Sequence, residues 1–470
     1  MLGAALAVGC CGYWFYQSRI AQGWGVNDGI MFHQNLMSLI NGDGLQSGFN
    51  YAGSSRTMTH YLSWHAMWIL YPFSRLYSLK PEISTFLLWQ TLFISLVLFV
   101  VYFFSPDRKR GLVLSGLIAA SAPFWGLIFS GTHCEATAIW VFPLLGLLVV
   151  LRWPERNQIW WKILFGFALI YGLSLREDLA LLLFGWGLLG ALLDAERRRA
   201  YLAIAILSLM VSVIDLMAIR TIDPTVPNNF QYRFGWLFGR QSSADFGAVN
   251  QWRWRGIYLL GCLAWLAPVL FFLRQTALRL WLPTLLATLV AMLENLASTY
   301  LGQLFLIGHY QVFVLSTTIL LAAIAAHQMP HIRQLAVSLL VLSIITWSLS
   351  TLTPWVFLSR TAPVMIKDKT AVSPAILKSL NSKTPWQRGR RYAVSDDLLL
   401  LSRPASLVED LDDLLTQNEL PKYVLIDTSR RIQSNGARSI APEILNQILD
   451  RYYGPPREVE KNILLFMKLS

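Results

Sequence analysis

Residues 83–104, ISTFLLWQTLFISLVLFVVYFF, run for 22 positions without one charged side chain. A helix of about 20 residues covers the hydrocarbon core of a bilayer, where only helices and closed barrels satisfy every backbone N–H and C=O. Apolar runs of comparable length recur along the 470 residues between short basic clusters, so the chain must fold as a helical bundle in a membrane. Only 14% of the residues are charged, against roughly a quarter in soluble domains.

The spans read as 1–18, 83–104, 111–129, 134–151, 163–175, 179–193, 200–218, 256–273, 280–294, 310–326 and 334–355, about eleven crossings in all. Met1 to Tyr16 lacks a basic leader and a small-residue cleavage site, which reads as a first helix rather than a removed signal. The 19 Trp, 17 Tyr and 25 Phe suit interfacial aromatic belts. Cys10, Cys11, Cys134 and Cys262 lie in or beside apolar runs with no C-x-x-C spacing, so neither a disulfide frame nor a zinc site is expected. The net charge of +12 comes from clusters at helix ends, where it serves topology and lipid headgroups, and no nucleic-acid partner is read from it.

Five short basic connections, 105–110, 152–162, 194–199, 274–279 and 327–333, go to the cytoplasm by the positive-inside rule. The outer side then holds loop 19–82, the THCEA turn at 132–136, the RED turn at 176–178, loop 219–255, segment 294–309 and the tail. Within the first loop, 60–79 is apolar but carries two His and a Pro and is read as an interfacial or re-entrant helix. Composition changes sharply near 363. Strand-like YAVSDDLLLL, KYVLIDT and NILLFMKL alternate with helical SLVEDLDDLLTQ and APEILNQILDRYY, which predicts a small α/β domain over 363–470 beside a transmembrane domain over 1–355.

Ionisable groups at membrane depth are costly, so those retained are functional candidates. Asp28, between Gly25 and Gly29, sits where the first helix leaves the lipid; its carboxylate could take a proton from a hydroxyl, hold a divalent metal, or cap the helix that follows. His133 and Glu135 open a span, and a common metal would need a loop conformation there; Glu135 could equally complement a helix dipole. Arg176, Glu177 and Asp178 join runs of about 13 and 15 residues, short enough for the turn to dip into a polar cavity or form a structural ion pair. Glu294, Asn295, His309, Tyr310 and Gln311 bracket another outward turn. Arg233, Arg253 and Arg255 could grip a lipid-linked phosphate or rest at the interface.

The order of these stretches is what carries a likeness. NDGIMFHQNLMSLINGDGL, HYLSWHAMWILYPFSRLYSL, FSGTHCEAT, LSLREDLALL, ENLAS and GHYQ, with YAVSDDLLLLSRP and KYVLIDTSR in the tail, resemble a family of bacterial predicted membrane proteins related to the GT-C glycosyltransferases. The likeness covers almost the whole chain. It implies a GT-C-like bundle with an extracytoplasmic α/β tail, in the bacterial inner membrane. It also implies transfer of a sugar from a polyprenyl-phosphate carrier to an acceptor on the outer face, with Asp28 as base or metal ligand. His133 and Glu135 are then further catalytic candidates by position. His33, Gln34, His60, Arg176, Glu177, Asp178, Arg233, His309 and Tyr310 are the binding candidates. This chain has His33 where the family pattern places a second acid before the glutamine. A transporter and a non-catalytic membrane subunit are the competing expectations; the one-sided charges and the lack of a visible repeat weigh against the first.

Overall fold

The computed structural model describes residues 2–21, 27–47, 59–63, 65–222 (apart from 106, 130–132 and 153–158), 248–298 (apart from 275) and 309–328. Beyond these it describes 337 and 340–341 and, in the tail, 391–394, 407–410, 420, 422–427, 442–460 and 463–469. The chain divides into two compact units. The first comprises Met1–Trp14, Trp64–Ile69 and Leu87–Pro363, and the second Phe15–Ser63, Leu70–Phe86 and Val364–Ser470.

Helices α1 (Leu2–Ala21), α2 (Asn27–Ile40), α3 (Leu70–Tyr77) and α4 (Ile83–Phe104) open the chain, with the short strands β1 (Gln46–Ser47) and β2 (Thr59–His60) between α2 and α3. α5 (Arg108–Ala119) and α6 (Ala122–Phe129) follow, then a 3-10 segment at Cys134–Trp140 and α7 (Val141–Leu147), which runs into one π turn at Leu148–Arg152. The bundle continues through α8 (Ile159–Leu173), α9 (Glu177–Leu193), α10 (Arg198–Ile222), α11 (Ala248–Leu273), α12 (Leu278–Ala297) and α13 (Val312–Gln328).

Among the described residues, four helices are long and apolar enough to cross a membrane: Ile83–Phe104, Arg198–Ile222, Trp254–Leu273 and Leu278–Ala297. Shorter apolar helices lie at Leu2–Trp14, Cys134–Val150, Ile159–Leu173 and Val312–His327. The expected span 334–355 falls almost wholly outside the described residues. The expected span 111–129 is broken at Ala120–Ser121, where Ser121 Oγ donates to Ile118 O at 2.8 Å and Trp125 Nε1 to Ala119 O at 2.7 Å. Pro123 has no N–H to give Ala119 O, so an indole serves that carbonyl where the helix ladder cannot.

α9 and α10 pack more closely than Cβ atoms would permit. A Cβ on Gly187 would lie 2.7 Å from Ala205 N and 2.8 Å from Tyr201 O, which are backbone atoms that cannot swing aside. α10 buries a stripe of Ala200, Tyr201, Ile204, Ala205, Ser208, Ser212 and Asp215, spaced three and four apart. Its other side exposes Leu202, Ile206, Met210, Val213 and Met217, as a lipid-facing surface should. The basic connections also do structural work: Arg197 donates to Val149 O at 3.1 Å and Val150 O at 3.2 Å, and Arg110 to Ala326 O at 2.9 Å, each satisfying carbonyls at a helix end.

In the second unit, α2 stops at a turn whose Gly42 has φ of 85°, a left-handed conformation that glycine adopts without strain. The tail forms a five-stranded sheet from β3 (Arg391–Val394), β4 (Leu407–Asp410), β5 (Tyr423–Asp427), β6 (Arg457–Glu460) and β7 (Ile463–Met467), in the order β4-β3-β5-β7-β6. β3 runs parallel to β4 and β5, and β7 runs antiparallel to β5 and β6. α14 (Pro442–Tyr452) covers it, with Leu445, Leu449 and neighbouring Tyr453 packed on Val424 and Ile426. One expectation fails locally. LVED, read from sequence as the start of a helix, is strand β4, because pairing of Leu407 with Arg391 and Val408 with Tyr392 overrides local helix preference.

Candidate functional site

The region 60–79 is not one helix. A 3-10 turn at Tyr61–Ser63 comes first, α-helix begins at Leu70, and residues 65–69 run as a strap of irregular backbone across the turn between α8 and α9. Its groups are satisfied there. Ile69 N donates to Ser174 O at 2.9 Å, Ala66 N to Glu177 Oε2 at 3.1 Å, and Trp68 Nε1 to Asp215 Oδ1 at 2.7 Å, while His65 Nδ1 meets Glu177 Oε1 at 2.8 Å. A carboxylate that serves both an imidazole and a backbone amide does the work a strand partner would do for that amide.

From Glu177 the ionic contacts continue through its chain neighbour Arg176. Arg176 Nη1 donates to Glu135 Oε1 at 3.2 Å and Nη2 pairs with Asp178, and His133 Nδ1 lies 3.8 Å from Glu135 Oε1. His133 is held by its own amide, which donates to Gln90 Oε1 at 2.8 Å. His65, His133, Glu135, Arg176 and Asp215 are all buried. Burial alone would push the Glu177 carboxyl up, but His65 beside it and then Arg176 outweigh that and hold it well below the usual carboxylate range. The cluster therefore sets the carboxyl groups of Glu135, Glu177, Asp178 and Asp215 against one guanidinium and two imidazoles. Among the described residues, no group of three or more His, Cys, Asp or Glu is arranged to hold a metal ion.

The fold thus unites His133, Glu135, Arg176, Glu177 and Asp178, candidates that lie in separate turns of the sequence. Tyr310 stands elsewhere in the same unit, its carbonyl accepting from Asn295 Nδ2 at 3.3 Å, and the same Asn295 donates to Tyr258 OH at 3.0 Å. His33, Gln34 and His60 belong to the second unit. His33 and Gln34 are buried on α2, and half-buried His60 in β2 accepts from Leu62 N at 3.3 Å. Asp28 occupies the first turn of α2; its side chain, that of His309, and all of Arg233 lie outside the described residues. Sequence reasoning missed His65, Trp68, Gln90 and Asp215. Asp215 carried a usable signal, being an acid inside an apolar run.

His33 Nδ1 and Tyr77 OH stand 2.5 Å apart, with Phe32 stacked on Phe86 beside them. Burial pushes the His33 imidazole down from 6.5 to about 4, against a smaller upward pull from Glu82. Between those two values the unfolded chain binds a proton that the folded one does not, so the contribution to stability is complete above pH 6.5 and is lost as pH falls toward 4. Stability should drop by on the order of 3 kcal/mol over that interval. His33→Gln should flatten this part of the pH profile of the unfolding midpoint, and an unchanged slope would show that another group titrates.

With this geometry in hand, the chain can be set beside known proteins. A family model described as "Predicted membrane protein (DUF2079)" matches residues 28–399. The chain belongs to this family. A search of curated proteins finds no match. Among solved structures, the DUF2079 chain is similar to ArnT from Cupriavidus metallidurans, crystallised bound to undecaprenyl phosphate. The TM-score is 0.56 at 13% identity, over 99% of this chain and 98% of that one. The likeness to ArnT, a GT-C glycosyltransferase, bears out the membrane fold that the sequence resemblance implied.

Proposed function

We propose that this DUF2079 protein is a membrane glycosyltransferase that moves a sugar from a polyprenyl-phosphate carrier to an acceptor hydroxyl. The observation that carries this reading is the cluster of ion pairs His133–Glu135, Arg176–Glu135 and Arg176–Asp178, with the His65–Glu177 pair one residue away, a costly arrangement in a bundle that shares its fold with ArnT. By the topology read from sequence, these turns face the outer side of the bacterial inner membrane, and the tail stands on that side too. Asp28 acts as the base, or through a divalent metal. As the acceptor oxygen attacks the anomeric carbon, its proton passes to the carboxylate, the bond from that carbon to the phosphate oxygen breaks, and polyprenyl phosphate leaves.

The reading is tested with the full chain in proteoliposomes, supplied with a panel of labelled sugars on polyprenyl phosphate and with cell-envelope acceptors. Transfer that requires both the carrier and the protein supports it. No transfer from any carrier-linked sugar would favour a non-catalytic membrane subunit, a reading that rests on His33 standing, buried against Tyr77, where the related pattern has an acid.

A further inference from the structure

We propose that the end of the tail sheet at Tyr452, Met467 and Leu469 docks onto a membrane surface bearing anionic phospholipid. The inference does not depend on the transferase reading. Successive side chains of a strand point to opposite faces, and the register of β7 assigns them. Leu464 and Phe466 lie with Val424 and Ile426 under α14, whereas Leu465, Met467 and Leu469 lie on the other face. Leu465 is buried there, but Met467 and Leu469 emerge at 55% and 57% exposure. At this end β7 pairs with the chain leaving α14: Gly454 N donates to Met467 O and Leu469 N to Tyr452 O, both at 2.9 Å. Tyr452, 39% exposed, therefore stands beside Leu469.

Cations are threaded between these residues. Exposed Lys468 separates Met467 from Leu469, and its backbone N–H donates to Lys422 O at 2.9 Å, which puts a second lysine at the same end. The guanidinium of exposed Arg451 lies 5.2 Å from the centre of the Tyr452 ring. Arg457 pairs in register with Leu465 and so shares a face with Met467. Of the exposed acids nearby, Glu458 pairs with Leu464 and belongs to the opposite face, and Asp450 is on α14. Apolar and aromatic side chains interleaved with Lys and Arg suit the boundary between headgroups and acyl chains, where the cations stay at the phosphates. A protein partner fits less well, since a stable interface takes about 800 Å² from each side and three side chains cannot supply it. A lipid surface needs no such area, because the chain's own apolar helices hold the tail near a bilayer at high effective concentration.

The test uses the full chain in nanodiscs of phosphatidylcholine with or without phosphatidylglycerol. Cys10→Ser and Cys11→Ser remove the exposed native thiols, Leu469→Cys carries a nitroxide, and Gln447→Cys on the exposed side of α14 is the control site. With phosphatidylglycerol present, the label at 469 should collide with lipid-soluble oxygen and be shielded from a water-soluble nickel chelate, while the label at 447 meets the chelate freely. Lys468→Gln should lower the ratio of docked to free label about fivefold, the factor for one cation at an anionic surface. Met467→Ser, at an exposed position, should release the label as well. A label at 469 that meets the chelate as freely as the one at 447 would overturn the proposal. So would shielding that does not depend on phosphatidylglycerol, and shielding that persists in amphipol would identify a protein surface as what covers the patch instead.

Discussion

Asp28→Asn is expected to lower sugar transfer by roughly a hundredfold or more at matched expression, with little change in the thermal midpoint. The substitution separates two roles. Asp28 lies in the first turn of α2, where a carboxylate complements the helix dipole by about 0.3–1 kcal/mol and an acid or amide side chain can cap the helix. Asparagine has the same shape and caps as well as aspartate, so a structural role predicts transfer within a few-fold of wild type. It cannot accept a proton at neutral pH and is a poor partner for a divalent cation, so a role in chemistry predicts a deep loss. Equal rates in the two proteins would remove Asp28 from the reaction, leaving the acids around Arg176 as the candidates for it.

Arg176→Met should be the most destabilising single change in the ionic cluster. Methionine fills a similar volume but withdraws the guanidinium that pairs with Glu135 and Asp178, both carried with it into the bundle. Removing one partner from a buried pair costs about 3–5 kcal/mol, chiefly through the charge left behind. The thermal midpoint in nanodiscs should fall by several degrees, and Glu135→Gln added to Arg176→Met should recover part of the loss, because the second change removes a stranded charge. Additive losses in the double variant would show that the two residues do not share an interaction.

Much of the bundle could be read before any coordinates, because lipid imposes one rule on every span and a run such as 83–104 has no alternative to helix. The RED turn was legible for a related reason: three charges between two short apolar runs have nowhere to go but a polar interior. His65 and Trp68 were hidden because they sit in a strap with no periodicity. Their roles depend on Glu177 and Asp215, more than a hundred residues away in sequence, and no local pattern encodes that pairing. The break at Ala120–Ser121 has a local signal in Pro123, whose missing N–H leaves Ala119 O to the Trp125 indole, but apolar length alone does not register it. In the tail, LVED misled because four residues carry too little helix preference to resist pairing along β3.

The one-sided burial of α10 has a consequence for how this helix tolerates change. Leu202, Ile206, Met210, Val213 and Met217 are exposed among the described residues, and lipid on that side would accept any apolar side chain, so that surface is nearly free to drift. Tyr201, Ala205 and Asp215 on the other side are fixed by the bare backbone of Gly187 and by the Trp68 indole, and a turn of the helix by one residue would carry Asp215 into hydrocarbon. The helix therefore has a single permitted rotation about its own axis. A substitution scan along it should alternate between indifference and intolerance with the 3.6-residue period of the α-helix.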